Sequence, residues 1–140
     1  MEIISTFINF WRESTPVSYL QDKNSSAKDG REGKYAIVYA VSDYVSTHFC
    51  EDISLDQLAN RFFISKYYLS RSFREVTGFG IREYVNILRV QKAQSMLQET
   101  NLSVSEIAET LGFDSITYFE RIFKRHLAVS PVQFRRDIMK

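Results

Sequence analysis

The side chains best suited to chemistry are two arginines, Arg71 and Arg121, which stand in matching surroundings 50 residues apart. Each is followed three residues later by a second cation, Arg74 or Lys124, and preceded by a short oxygen-bearing side chain or an acid, Ser70 or Glu120. A guanidinium can donate to both acceptors of guanine at once, and a carboxylate can accept from the cytosine amine. A surface of this composition therefore suits base-pair edges in a DNA major groove. The plain alternative is a solvated helix face, which is what most such charge patterns are. For one isolated helix solvation is the better reading, and it is the recurrence that reverses the weighting.

The recurrence is extensive. Tyr68-Leu69-Ser70-Arg71-Ser72-Phe73-Arg74 returns as Tyr118-Phe119-Glu120-Arg121-Ile122-Phe123-Lys124, and the match continues from Gly78 to Ala128 and from Tyr84 to Phe134. Upstream, Leu58-Ala59 pairs with Ile107-Ala108 at an offset of 49, so one extra residue must sit in the second turn. Two copies are too few for a solenoid, but they suffice for a reader with two contact surfaces.

Each copy carries the signals of a helix, a short turn and a second helix. Ser54 with Gln57, and Ser103 with Glu106, have the spacing of a capping box. The second helix is predicted to start near Ser65 in the first copy and near Asp114 or Ser115 in the second. Gly112 supplies a sharp turn in the second copy, whereas Asn60 to Ile64 fills the first without glycine. At 3.6 residues per turn, Leu69, Phe73 and Val76 share one stripe, as do Phe119 and Phe123 with Ile122 beside them, and these are the predicted core.

The other face is the candidate interface. The base-facing set is Tyr67, Ser70 and Arg71 in the first copy, and Ile116, Thr117, Glu120 and Arg121 in the second. Lys66, Arg74, Lys124 and Arg125 are the candidate phosphate contacts. The predicted fold is all-α, with two helix-turn-helix subdomains over about 54–77 and 103–127. Between them, Tyr84, Val85, Leu88, Ala93, Met96 and Leu97 recur at three- and four-residue intervals, so residues 81–97 read as one linker helix. Such a helix would be roughly 25 Å long. Recognition helices held about 34 Å apart could enter successive major grooves, and bending the duplex to admit both would cost a few kcal/mol by order of magnitude.

These residues resemble the DNA-binding domain of the AraC/XylS family of bacterial transcription regulators. The resemblance covers 34–140, roughly three quarters of the chain. It rests on Leu58-Ala59, Ser65, Tyr68-Leu69-Ser70-Arg71, Phe73-Arg74 and Gly78 in the first motif. In the second it rests on Ile107-Ala108, Gly112-Phe113, Tyr118-Phe119, Arg121, Phe123-Lys124, Ser130-Pro131, Phe134 and Arg135. The resemblance implies two helix-turn-helix motifs joined by a long helix, binding to double-stranded DNA, transcription activation with RNA polymerase as protein partner, and a cytoplasmic location. Two positions depart from the pattern. Ala128 stands where the family usually has glycine, which implies either a strained left-handed turn or a different one, and Gly80 replaces a capping serine.

Composition sets the remaining bounds. Eighteen basic and 17 acidic side chains give a net charge of only +1, so any nonspecific affinity for DNA should be modest. The chain of 140 residues is 44% hydrophobic, enough for a folded core. Cys50 is the only cysteine, and His48 and His126 have no partners at metal-ligand spacing. No catalytic residues, metal or cofactor are expected, and no long apolar run or signal peptide points to a membrane or to export.

Residues 1–33 have a different character. Ile3, Ile4, Phe7, Ile8 and Trp11 recur at helical spacing, so 1–13 reads as a short apolar-faced helix, and 14–33 is rich in Ser, Lys, Asp and Gly like a flexible tether. That helix could fold back on the domain or mediate a homodimer. The resemblance adds that it could end a missing N-terminal sensor domain, or that the chain is a small stand-alone regulator. A protein-interaction module that antagonises related regulators without binding DNA is the competing function, and arginine at both matched positions argues against it.

Overall fold

The computed structural model describes residues 30–139. Among them are seven helices and no strand: α1 (Gly30–His48), α2 (Leu55–Arg61), α3 (Lys66–Thr77), α4 (Ile81–Glu99), α5 (Val104–Thr110), α6 (Ile116–Leu127) and α7 (Pro131–Ile138). The architecture is all-α. The helix expected over 1–13, and any homodimer through it, lie outside the described residues. Residues 30–33, which composition assigned to the tether, belong to α1.

The chain divides into two compact units. Among the described residues the first holds 30–47 and Ile53–Tyr84, and the second holds His48–Asp52 and 85–139. In the first unit, α1 buries Val38, Val41 and Val45 at three- and four-residue intervals. Leu58 and Ala59 of α2 and Leu69 and Phe73 of α3 are also buried. Tyr84 meets Phe73 edge-on, with ring centroids 5.3 Å apart. In the second unit the core joins Val90, Ala93 and Leu97 of α4 to Ile107 and Ala108 of α5 and to Phe119, Ile122 and Phe123 of α6, and Phe134 of α7 closes it against Phe123 at 5.6 Å.

The two units share the caps of their first and second motif helices. Ser54 Oγ accepts from the Gln57 amide at 3.1 Å while Gln57 Oε1 accepts from the Ser54 amide at 3.2 Å. Ser103 and Glu106 do the same at 3.1 and 2.7 Å. Each cap satisfies amides that have no partner inside the helix, a stabilisation of about 1 kcal/mol. Ser65 caps α3 through the Tyr68 amide at 3.1 Å, and Ser115, rather than Asp114, caps α6 through the Tyr118 amide at 3.0 Å. Asp114 is thus the extra residue of the second turn.

The turns themselves match. Ile64 donates to the Ala59 carbonyl and Phe113 to the Ala108 carbonyl, both at 3.0 Å. The residue ahead of each donor is left-handed: Phe63 at φ 57° and Gly112 at φ 89°. The first copy therefore makes the glycine turn without glycine. After the second helix, Gly78 (φ 82°) and Ala128 (φ 68°) are left-handed too, each donating at 2.8 Å to the carbonyl of Arg74 or Lys124. Ala128 adopts the strained alternative of the two that its sequence position allowed.

The linker helix α4 runs to Glu99, slightly past the predicted end at Leu97. Thr100 Oγ1 donates to the Met96 carbonyl at 2.6 Å. Arg135 of α7 donates to the carbonyls of Leu97 and Thr100 at 3.3 and 3.2 Å, placing a cation where the helix dipole is negative. Its guanidinium is engaged in holding α4.

Candidate nucleic-acid interface

The hydrophobic stripes of α3 and α6 point inward, and this leaves the rest of each helix outside. Lys66, Tyr67, Ser70, Arg71 and Arg74 of α3 are all exposed, as are Ile116, Thr117, Glu120, Arg121, Lys124 and Arg125 of α6. Tyr67 is 74% exposed, a large apolar surface for a residue at the start of a helix.

The two arginines have different neighbours. On α3, Arg71 lies near Glu75, whose carboxylate accepts from Lys34 of α1. That hydrogen bond first, and then the lysine's charge, hold the Glu75 carboxyl below its ordinary range, with a smaller contribution from Arg71. Lys66 lies 3.7 Å from Asp56 and 5.4 Å from the centre of the Tyr67 ring. On α6, Arg121 lies over the ring of Tyr118, 5.2 Å from its centre, a cation–π distance. Lys124 and Arg125 lie in the last turn of α6, where cations complement the helix dipole.

Two polar residues outside the apolar period of the linker helix prove to be buried. Asn86 and Arg89 of α4 lie within an unbroken buried run from Tyr84 to Val90. Asn86 Nδ2 donates to the Tyr118 hydroxyl at 3.0 Å. Arg89 donates from Nε to the Phe49 carbonyl at 2.6 Å and from Nη2 to the Glu51 carbonyl at 2.9 Å, and it lies over the Phe113 ring at 5.3 Å. Burial pushes its pKa down from the ordinary value, while these carbonyls take two of its five donors. The signal available in the sequence was the polar pair's position inside an apolar helical run.

Gly112 belongs to the same anchor. A Cβ there would lie 2.3 Å from the Cys50 carbonyl oxygen and 3.1 Å from Arg89 Nη2. Backbone approach and positive φ both require glycine. Among the described residues, no group of three His, Cys, Asp or Glu side chains could hold a metal ion, and no helix is long and apolar enough to cross a membrane.

Comparison with known proteins fits this arrangement. A helix-turn-helix domain family matches residues 58–137, which takes in both turns and the linker helix. The chain is also similar to the C-terminal domain of AraT, a response regulator from Geobacillus stearothermophilus, with 35% identity and a TM-score of 0.70 over 72% of this chain and 84% of that one. The chain belongs to the AraC-type helix-turn-helix family. Another neighbour is the DNA-binding domain of AdpA, a global transcriptional factor solved in complex with a target DNA, with 30% identity and a TM-score of 0.68 over 71% of this chain and 90% of that one. Among curated proteins, the Msm operon regulatory protein of Streptococcus mutans is 30% identical over 126 residues, 90% of this chain. The chain spans 43% of that relative's length.

Proposed function

We propose that the chain is a sequence-specific double-stranded DNA-binding transcription regulator that inserts α3 and α6 into successive major grooves. The observation that carries this reading is one exposed face, built around arginine, that recurs on two serine-capped helices behind turns closed by the same hydrogen bond. The AdpA domain, of the same fold, was solved on its target DNA, which adds support.

In this reading Arg71 and Arg121 donate to guanine edges, Glu120 accepts from cytosine, and Ser70 and Thr117 take either role. Tyr67 and Ile116 make apolar contact with thymine methyls. Lys66, Arg74, Lys124 and Arg125 neutralise phosphates and so fix register without reading sequence. The protein acts in the cytoplasm as an activator with RNA polymerase as its partner, in keeping with the family.

Competition binding at two salt concentrations, against specific and random duplex, tests the division of labour. Arg71→Ala should lose roughly 1–3 kcal/mol of specific binding with nonspecific binding nearly unchanged. Lys124→Ala should weaken all duplexes about equally and reduce the salt slope by about one ion. No preference of the unaltered chain for any duplex over random DNA would instead favour the protein-interaction module.

A further inference from the structure

We infer that Asn86, on the linker helix and away from the exposed face of α6, is a positioning residue for base reading by Arg121. The inference deepens the proposed function and rests on it. Asn86 donates to the Tyr118 hydroxyl at 3.0 Å, and the ring of that same tyrosine lies under the Arg121 guanidinium at 5.2 Å. Asn86 is buried and Tyr118 half-buried, whereas Arg121 is exposed. The chain of contacts therefore runs from a buried amide, through a ring, to an exposed cation.

A long arginine on a helix surface has many rotamers, and restricting them before binding removes entropy that binding would otherwise cost. A ring face attracts the guanidinium and aligns its plane. The ring can do so only if it is itself held. Tyr118 has the Asn86 bond for that purpose, together with its packing against Phe113, 6.0 Å away between centroids. The first unit differs: among the described residues Tyr68, the counterpart of Tyr118, has no partner on α4 like Asn86, and Arg71 lies near Glu75 instead. The consequence is that Arg121 is pre-aimed from its own core while Arg71 is steered by surface charge.

The test uses the full chain with Asn86→Ala, Tyr118→Phe, their double variant, Arg121→Ala and Tyr68→Phe. Binding is read as the ratio of specific to random affinity, and alignment of the free protein by the Arg121 Nε–Hε resonance, which the Tyr118 ring shifts. Losing the hydroxyl bond should lower the ratio about three- to tenfold. The double variant should lose no more than either single, because each removes the same bond. Tyr68→Phe should leave the ratio unchanged, and the Arg121 resonance should move in Asn86→Ala. If Arg121→Ala lowers the ratio but Asn86→Ala and Tyr118→Phe do not, the positioning role is wrong and base reading by α6 stands. If Arg121→Ala itself leaves the ratio unchanged, the proposed function fails for α6. An Arg121 resonance unmoved by Asn86→Ala overturns the relay whatever the DNA result.

Discussion

At the turn before the second helix of each motif, the first unit carries Phe63 and the second Gly112, yet both are left-handed, at φ 57° and 89°. At the turn after that helix the pattern inverts, with Gly78 in the first unit and Ala128 in the second, at φ 82° and 68°. Four positions thus have one backbone requirement and two of them lack glycine. The surroundings decide which can. Phe63 is 94% exposed, so its side chain meets solvent and only backbone strain remains. A Cβ at Gly78 would meet nothing within 4 Å, and Ala128 is exposed. Only at Gly112, pressed against the Cys50 carbonyl, does packing add a second reason for glycine. A repeated backbone therefore conserves hydrogen bonds, while residue identity follows the neighbours of each copy.

The largest effects should come from what the units share. Phe73 and Phe123 are both fully buried at matched positions, and truncating either to alanine should cost about 3–5 kcal/mol. Circular dichroism melting checks this, and near-native stability in one variant alone would break the equivalence of the two cores. Next come the turns that differ. Gly112→Ala should lose on the order of 3 kcal/mol, from left-handed strain together with the close carbonyl, whereas Phe63→Gly should stabilise by about 1 kcal/mol, since an exposed side chain leaves only left-handed strain to relieve. Denaturant unfolding would show it, and a Gly112→Ala loss no larger than that of Gly78→Ala, an open left-handed site, would mean that the Cys50 contact carries no weight.

A reciprocal pair sharpens the comparison further. Gly78→Ala should destabilise by about 1 kcal/mol and Ala128→Gly should stabilise by about the same, since both sites are open and only the backbone conformation matters. Changes of the same sign in both would refute that argument.

The smallest effect concerns acid. Glu75 and Glu106 both have carboxyl pKa values below the ordinary 4.5, Glu75 through Lys34 and Glu106 through the Ser103 backbone amide and then its side chain. A depressed folded-state pKa stabilises above the unfolded value and is lost as pH falls through the folded one. Melting temperature should accordingly drop as pH falls below about 4.5. Glu75→Gln and Glu106→Gln should each flatten that limb, and Lys34→Ala should mimic only the first.

Much of this was legible in the sequence because it is local. The capping boxes at Ser54 and Ser103, the buried stripes through Phe73 and Phe119, and the linker helix all follow from short-range spacing. The turn at Phe63 was not, since nothing in Phe62-Phe63-Ile64 announces a left-handed residue, and it is the hydrogen bond from Ile64 to Ala59 that demands one. Helix α1 went unassigned although Val38, Val41 and Val45 carry its period, because the polar stretch before it drew the boundary. The supporting roles of Asn86, Arg89 and Arg135 were not legible either. Their partners lie 32 to 40 residues away, beyond the reach of periodicity. The exposed face of α3 and α6 was legible as a face, but the differing supports of Arg71 and Arg121 were not.

Footprinting on the specific site, with the full chain and with Arg71→Ala and Arg121→Ala, tests most directly the claim that one chain carries two readers. The unaltered chain should protect two successive major grooves of an asymmetric site, about one helical turn apart. Each variant should lose protection in a different groove. Protection confined to a single groove, or loss at the same groove in both variants, would contradict the account.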